Sequence, residues 1–362
     1  MAKKKETKKT EEAVTGEVQQ PKEEKKPNRL GDLISRIESR FGKEAIAGKK
    51  QDIEFVHSGS FLLDEILGGG WAKGRIVEAY GGFSSGKTSI AFHLATEIQK
   101  QGMAVGYLDT ENAVDPKYMG AIGVDLSPDK FILSQPSTAE ETLEIAKEMC
   151  NEPSIGLVVI DSIAGLVPTA LLNGEAGDAH IGLTARLLSS QVNILKNICK
   201  QTGCILFCIN QIRSNIGGYG NATTTPGGFA IPFYASQRVE LARVGSDKEG
   251  EVSVANKVKI TCRKNKVAPP MKTCNIVIRF GVGIDKVMEM LNMGLDLGVL
   301  TKKGTYIYYG EEKIGFGFPA ARKKLIKETE LFDKIKKDVL SDFRKKEVTF
   351  ENKEVEDEAN QD

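Results

Sequence analysis

The sequence predicts an α/β protein with a mostly parallel central sheet flanked by helices, an N-terminal helix and a small α+β C-terminal domain. Through the middle of the chain, apolar strand-like runs alternate with helical segments, as in parallel sheets that are covered on both faces. A glycine-rich loop joins one such strand to one such helix at 81–88. After residue 283 the pattern changes to short helices and a hairpin.

Composition narrows the class of protein without naming a function. The chain has 362 residues, 40% of them hydrophobic, which is enough for a large core. A net charge of +1 means that any basic surface for nucleic acid must be local. The six cysteines form no CxxC pair, so we interpret them as buried, reduced thiols rather than metal ligands. With no signal peptide and no apolar run near the ~20 residues that span a bilayer, we expect a cytoplasmic protein without a membrane partner.

The N-terminal region divides into a tail and a helix. Residues 1–28 are rich in Lys, Glu, Thr and Gln, which predicts a disordered charged tail. This tail is either a solubilising segment or a weak basic arm for DNA. In 29–60 we expect a helix and a linker, because apolar residues recur at helical spacing over 30–41. That amphipathic helix packs either on its own core or on a neighbouring subunit.

The core domain is predicted over 61–283. Its predicted strands are 75–80, 104–109, 156–161 and 204–210, and its predicted helices are 87–99, 141–150 and 185–200. Two later segments, 257–265 and 274–280, alternate in the manner of antiparallel strands that extend the same sheet. A small C-terminal domain follows at 284–345, and an acidic disordered tail is expected at 346–362.

The segment GGFSSGKT, 81–88, matches the phosphate-loop pattern GxxxxGK[ST] and lies between a strand and a helix, the context that supports such a match. Glycines allow backbone N–H groups to close around phosphate oxygens, and the helix N-terminus adds a positive dipole. Lys87 then reaches the β- and γ-phosphates, and the Thr88 hydroxyl is a ligand for Mg²⁺. The cofactors predicted here are therefore ATP and Mg²⁺.

Acidic residues follow two of the predicted strands. Asp161 ends the apolar run LVVID, where the carboxylate that completes a Mg²⁺ site belongs, although a strand-end Asp also caps turns. Glu111 follows the strand that ends at Asp109. It is a candidate general base for hydrolysis, and a role in capping a surface helix remains the alternative.

Several segments, in order along about residues 30–340, resemble the RecA family of recombinases. This resemblance implies a RecA-type P-loop ATPase core in which ATP gates polymerisation on single-stranded DNA, followed by pairing with duplex DNA and strand exchange. The matching segments are SGSFLLDEILGGGWAKGRIVEAYGGFSSGKT, LDTENAVDPKYMGAIGVD, VVIDSIAGLVP, GEAGDAHIGLTARLLSS, NQIRSNIGGYGNATTTPGGFAIPFYASQRVEL and RKNKVAPP.

The resemblance also implies roles for single residues. Glu111 would be the catalytic base, Gln211 would sense the γ-phosphate, and Phe233 would lie at the subunit interface. Lys264 and Lys266 would act with Lys87 in catalysis, reaching the ATP of the next subunit as cationic fingers. From the residues alone, RKNK also fits a solvated strand end. The implied ATP-binding residues are Gly81, Gly82, Phe83, Ser84, Ser85, Gly86, Lys87, Thr88, Ser89, Asp115, Tyr118 and Phe280.

Two loops are candidates for DNA binding. The segment 212–228 is long, polar and glycine-rich, and such a loop is either functional or simply mobile. We expect it to be disordered without DNA and to order on DNA. Ile216 in this segment, the second loop, and Ile181 in 174–181, the first loop, are candidate wedges between bases. Charged and backbone contacts of this kind favour binding with little sequence preference. The further candidate DNA-binding residues are Arg186, Arg213, Gly227 and Gly228.

The chain departs from the family pattern at a few positions. Phe83 occupies a phosphate-loop position that is often Glu, and Phe229 replaces a polar residue near the end of the second loop. Asn112, Asn193 and Pro232 stand where His, a basic residue and Lys are common. These differences bear on DNA contacts and on coupling between subunits rather than on ATP chemistry.

The sequence is compatible with three candidate functions. The first is a DNA-dependent ATPase that acts in recombination, DNA repair and the SOS response, as a self-assembled filament with a LexA-type repressor as a possible partner. The second is a hexameric helicase-type motor with the same ATPase core. The third is a regulatory nucleotide switch without DNA, which the two glycine-rich loops disfavour.

Overall fold

The structure, a computed structural model, describes residues 29–42, 53–174, 182–214 and 223–359. Residues 53–362 form one compact unit, and the segment before Ile53 forms another. Helix α1, Arg29–Phe41, belongs to the first unit, where the sequence predicts a helix, and none of its residues is buried. Its apolar side chains include Leu30 and Phe41, both about two-thirds exposed. No helix in these described ranges is long and apolar enough to cross a membrane.

The compact unit begins with small elements and continues as a sheet flanked by helices. Its strands are β1 Phe55–Val56, β2 Trp71–Ala72, β3 Ile76–Gly81, β4 Ala104–Asp109, β5 Phe131–Ser134, β6 Ile155–Asp161, β7 Ile205–Gln211, β8 Arg213–Ser214, β9 Thr223–Thr224, β10 Gln237–Glu249, β11 Val252–Asn265, β12 Thr273–Arg279, β13 Gly283–Ile284, β14 Leu300–Lys303, β15 Tyr306–Tyr309 and β16 Glu312–Phe316. Its helices are α2 Phe61–Leu67, α3 Lys87–Lys100, α4 Pro116–Ile122, α5 Ala139–Asn151, α6 Thr169–Asn173, α7 Leu183–Thr202, α8 Ala230–Tyr234, α9 Lys286–Leu297, α10 Gly317–Lys327 and α11 Thr329–Ala359.

The central sheet has nine strands in the order β13-β12-β11-β10-β3-β7-β6-β4-β5. The six strands from β10 to β5 are parallel, and β11, β12 and β13 extend the sheet in antiparallel fashion. The predicted α/β class is therefore confirmed, together with the antiparallel extension. Every residue of β6 is buried, as expected of a strand that is covered on both faces.

Two hydrophobic clusters lie on opposite faces of this sheet. Leu157 and Val159 of β6 join the cluster that contains α3, whereas Val158 and Ile160 join the cluster that contains α5 and α7. This division follows from the alternation of side chains along a strand. A third cluster unites α9, α10 and α11 with the small sheet β14-β15-β16, in the region where the sequence predicts the C-terminal domain.

The chain end differs from the expectation of a disordered tail over 346–362. Helix α11 continues through this segment to Ala359. Its sequence contains no Gly or Pro and is rich in Lys and Glu, which are good helix formers. Helix propensity thus accounts for the difference, whereas net acidity alone led to the expectation of disorder.

Buried His93 on α3 makes stability depend on pH. Burial, helped by Lys286 and Lys100, lowers the pKa of His93 to about 4, and its Nε2 accepts a hydrogen bond from the Ile284 N–H at 2.7 Å. Below pH 6.5 His93 becomes protonated in the unfolded chain, whereas in the folded chain it stays neutral until about pH 4. Between pH 6.5 and 5 the free energy of unfolding should therefore fall by about 2 kcal/mol because of this residue.

Urea unfolding at pH 7 and pH 5 tests this prediction. His93→Gln keeps an acceptor for Ile284 but cannot titrate, so it should lose less stability than the parent chain on acidification. The comparison variant is His57→Gln. The side chain of His57 is 78% exposed, and its Nδ1 lies 3.0 Å from Asp64 Oδ2, so this variant removes an exposed histidine together with that contact. An equal acid-induced loss in the parent and in His93→Gln would contradict the prediction.

Candidate nucleotide and DNA site

The loop between β3 and α3 is shaped by glycines. Gly86 has a φ of 90°, and a Cβ at this position would lie 2.2 Å from Cδ1 of Ile278. A Cβ on Gly81 would lie 2.2 Å from the carbonyl oxygen of Leu241. Both positions therefore require glycine, and the loop backbone approaches whatever it encloses without intervening side chains.

Lys87 opens α3 and folds back over this loop. Its Nζ donates to the carbonyl oxygens of Gly82 at 2.8 Å and Gly81 at 3.2 Å. Burial lowers the pKa of Lys87, an effect opposed by the nearby charges of Asp161 and Glu111. An ammonium group held by two weak neutral acceptors is well suited to exchange them for phosphate oxygens.

Asp161 at the end of β6 lies beside Thr88. Thr88 Oγ1 donates to Asp161 Oδ2 at 3.0 Å, and the hydroxyl of Tyr107 on β4 donates to the same oxygen at 2.6 Å. Burial raises the pKa of Asp161, and these two hydrogen bonds oppose that shift. A hydroxyl and a carboxylate so close together match the oxygen ligands that Mg²⁺ prefers, so the residues present fit this metal.

Glu111 lies on the loop after β4, the strand next to β6 in the sheet. Its Oε1 accepts hydrogen bonds from Ser162 Oγ and from Gln211 Nε2, the latter at 2.9 Å. Thr110 ties the loop to Ser162, because each residue donates one hydrogen bond to the other at 2.9 Å. The carboxylate is thus oriented by donors from the ends of two neighbouring strands.

Strand order explains why these groups converge. Strands β3, β7, β6 and β4 are parallel neighbours, with Gly81 opposite Gln211 and Asp109 opposite Asp161. Their carboxyl ends meet at one edge of the sheet, the usual position of ligand sites in open α/β sheets. Buried Asp109 stabilises the loop after β4, because its carboxylate accepts hydrogen bonds from the N–H groups of Ala113 and Val114 at 3.2 Å.

A cavity of about 380 Å³ continues from the phosphate loop toward the ends of β11 and β12. Tyr118 and Phe280 line it, and the Tyr118 hydroxyl lies 2.6 Å from Ser89 Oγ. The other lining residues are Ser84, Ser85, Gly86, Lys87, Thr88, Ser89, Asn256, Ile278 and Gly281.

Four residues expected to bind ATP are not among the lining residues of this cavity. These are Gly81, Gly82, Phe83 and Asp115. Asp115 caps α4, because its side chain accepts a hydrogen bond from the Lys117 N–H at 2.9 Å. Phe83 is 85% exposed and does not line the cavity.

The two lysines of RKNK also lie outside the lining of this cavity. Lys264 Nζ donates to the carbonyl oxygens of Pro232 at 2.8 Å and Phe233 at 2.7 Å, at the end of α8. Burial, together with Lys266 and Arg238, lowers the pKa of Lys264 to about 8. Within one chain, therefore, neither lysine lines the nucleotide cavity.

The candidate DNA loops are described only at their ends. Ile181 and Ile216, the predicted wedges, lie outside the described residues. Arg213 is exposed on β8, which pairs with β9 and closes the base of the second loop. Arg186 is exposed in the first turn of α7, directly after the first loop.

Gly227 and Gly228 end the second loop against α7. Their φ values are 88° and 72°, and a Cβ would lie 2.7 Å from Leu188 Cδ1 and 2.8 Å from Ala185 Cβ. Tight packing thus explains both glycines without a ligand. It also places the described end of the second loop beside the first turns of the helix that carries Arg186.

Asn210 connects the nucleotide end of the sheet to the second loop. Its Nδ2 donates to buried Glu78 at 3.0 Å and to the Pro226 carbonyl oxygen at 3.1 Å, and its Oδ1 accepts from the Gln211 N–H. Gln211 in turn contacts Glu111. A continuous chain of hydrogen-bonded and covalent neighbours therefore runs from the candidate base to the loop.

Sequence reasoning did not find four of these residues: Tyr107, Thr110, Ser162 and Asn210. Tyr107 lies inside an apolar strand, and the other three are small polar residues at strand ends without a motif of their own. For three of them the available signal was position, because Thr110, Ser162 and Asn210 adjoin Glu111, Asp161 and Gln211 in the sequence. Tyr107 has no such neighbour.

Comparison with known proteins gives consistent results. Residues 28–285 match the family model of the RecA N-terminal domain, and residues 288–344 match that of the RecA C-terminal domain. Protein RecA of Lactobacillus acidophilus is 43% identical over 324 residues, 88% of each chain. Protein RecA of Listeria monocytogenes is 40% identical over 336 residues, 91% of this chain and 95% of the relative.

A solved structure extends the comparison to the fold. The crystal structure of the RadB recombinase aligns with a TM-score of 0.50 at 23% identity, covering 64% of this chain and 98% of that one. This likeness concerns the fold alone.

Proposed function

The chain belongs to the RecA family of recombinases, and on that premise we propose that it polymerises on single-stranded DNA, hydrolyses ATP in response, and exchanges strands with duplex DNA. One observation carries the proposal: Lys87, Asp161, Glu111 and Gln211 meet at the edge of the sheet from which the second loop departs. The curated relatives favour this function over a hexameric helicase-type motor.

The proposed roles follow from the contacts. Lys87 would bind the β- and γ-phosphates, and Thr88 with Asp161 would hold Mg²⁺, which would neutralise phosphate charge. Glu111, fixed by Ser162 and Gln211, orients the attacking water and accepts its proton. Tyr118 and Phe280 flank the adenine in the adjoining cavity.

Coupling to DNA is proposed to run through Gln211. The side chain of Gln211 donates to Glu111, and its backbone N–H donates to Asn210, which in turn donates to the Pro226 carbonyl oxygen of the second loop. A shift of the Gln211 backbone would therefore reach that loop. Lys264 and Lys266 complete the site from the next subunit, with Phe233 at that interface. Helix α1, with its exposed apolar face, is the proposed polymerisation element.

Further assignments rest on the family alone. These are action in the cytoplasm, a part in DNA repair and the SOS response, and a LexA-type repressor as a partner.

Electron microscopy tests the function directly. With single-stranded DNA and a slowly hydrolysed ATP analogue, the chain should form helical filaments, and it should then exchange strands with homologous duplex. Closed rings would favour the helicase alternative, and monomers would favour a regulatory switch.

Arg213 should contribute charge to DNA binding. Arg213→Ala is expected to weaken binding to single-stranded DNA and to reduce the slope of log K against log salt by about 0.7, because one phosphate contact is lost. Ile216→Gly should weaken binding without changing the slope. Fluorescence anisotropy at four salt concentrations measures both quantities, and an unchanged slope in Arg213→Ala would remove Arg213 from the DNA site.

A further inference from the structure

The amino group of Lys264 forms hydrogen bonds to the end of α8. It donates to the carbonyl oxygens of Pro232 and Phe233 at 2.8 and 2.7 Å. Carbonyls at a helix C-terminus lack intrahelical partners and attract cations. Any surface that Lys264 approaches is therefore approached by α8 as well.

Helix α8 presents aromatic side chains on its outer face. Phe229 is 87% exposed and Phe233 is 69% exposed. The Phe233 N–H donates to the Phe229 carbonyl oxygen at 2.9 Å, so the two residues are one helical turn apart and share a face.

The phosphate loop carries a third such side chain. Phe83 is 85% exposed, and among the described large apolar side chains only Phe229 is more exposed. Its ring lies outside the nucleotide cavity, four residues before Lys87 in the same loop. Solvation of a full aromatic ring on a folded surface is unfavourable, and burial of the ring in an interface removes this penalty.

Resting on the proposed function, in which Lys264 reaches the next subunit's ATP, we propose that Phe83 of one subunit packs against Phe229 and Phe233 of its neighbour. To reach the phosphates beside Lys87, Lys264 must bring the end of its own strand close to the neighbour's phosphate loop, and α8 lies next to that strand end. Phe83 is the large exposed side chain on that loop, so it would be the side chain that meets α8. The partner is thus a second copy of this chain, held by an aromatic contact next to the shared ATP site.

Both opposing surfaces carry exposed aromatic side chains, Phe83 on one and Phe229 with Phe233 on the other. The two patches differ, which makes the contact head-to-tail and lets it propagate along an open filament. Aromatic pairs of this kind bind more tightly than their buried area alone accounts for.

Cysteine cross-linking tests the geometry. All six native cysteines are buried, so an introduced surface thiol reacts first. The double variant Phe83→Cys, Phe229→Cys is assembled on single-stranded DNA with a slowly hydrolysed ATP analogue and then treated with a disulfide-forming oxidant. A ladder of covalent multimers is expected on a non-reducing gel. An equal mixture of the two single variants should give dimers and no higher species.

The matched control pairs Phe83→Cys with Ile326→Cys, on a helix of the C-terminal cluster where the side chain is 47% exposed. It should assemble without a ladder. Filaments of the Phe83→Cys, Phe229→Cys variant that yield no ladder would overturn the contact alone. Failure of the unsubstituted chain to assemble would instead overturn the proposed function, and the contact with it.

A second measurement serves if the cysteine variant does not assemble. The critical concentration for filament formation is compared for Phe83→Ala, Phe229→Ala and the double variant. Each single change should raise it about tenfold, and the double change should raise it little further, since either change removes the same contact. Independent, multiplying effects would overturn the proposal.

Discussion

Glu111→Gln is expected to retain ATP binding and to lower DNA-stimulated hydrolysis by about 10²–10⁴-fold, the usual effect of removing a general base. Glutamine keeps the shape of the side chain and an acceptor for Ser162 and Gln211, but it cannot take a proton from water. The loss should therefore appear in kcat, whereas the nucleotide Kd should change little. Phosphate release in the presence of single-stranded DNA, together with binding of a fluorescent ATP analogue, measures the two quantities.

A matched control separates this effect from a general loss of acidic charge. Glu148→Gln removes a carboxylate from the exposed surface of α5, where no described side chain or backbone group pairs with it. That variant should hydrolyse ATP at the parental rate. Hydrolysis near the parental rate in Glu111→Gln as well would remove Glu111 from the base role and leave only its hydrogen bonds to Ser162 and Gln211.

The parts of this site that the sequence predicts are those with local signals. The phosphate loop has its own spacing, and the continuous apolar run of the buried strand LVVID stops at Asp161, where the strand ends. The alternation of strands and helices along the chain likewise predicts the α/β class. For these elements a window of ten or so residues contains the information that the fold uses.

Contacts between strands have no such local signal in the sequence. Tyr107 donates to Asp161 across 54 residues, and Ser162 reaches Glu111 across 51. Both depend on β4 lying next to β6 in a fixed register, which no local pattern specifies. The resting position of Lys264 on α8 is likewise invisible in RKNK, because it depends on how β10 and β11 bring Lys264 to the carbonyl oxygens that end α8.

Gly227 and Gly228 have two explanations, one in DNA binding and one in packing. The sequence marks them as part of a DNA-binding loop, and the structure packs both against α7 so tightly that any Cβ would collide. A change at either position would therefore disturb packing whether or not DNA is present. Arg213 and Arg186, which are exposed, are the better probes of DNA contact.

The lysine pair should act in trans. In a chain with Lys264→Ala and Lys266→Ala, DNA-stimulated ATPase activity is expected to fall about 10³-fold or more, as when a cationic finger is removed from a phosphoryl-transfer site. Nucleotide binding by the single subunit should persist, because neither lysine lines its cavity. Activity is measured by phosphate release from filaments whose formation is followed separately by light scattering.

Mixing this double variant with Glu111→Gln distinguishes trans action from a local defect. Each site would take its base from one subunit and its lysines from the next. In a random one-to-one filament, about one quarter of the interfaces would join an intact Glu111 to intact lysines, as head-to-tail contacts require. The mixture should then recover up to about a quarter of the parental activity, although each variant alone is nearly inactive. Filaments shown to contain both variants, yet without recovered activity, would mean that the lysines serve their own subunit, and that the interface around Phe83 and Phe229 has no ATP site at its centre.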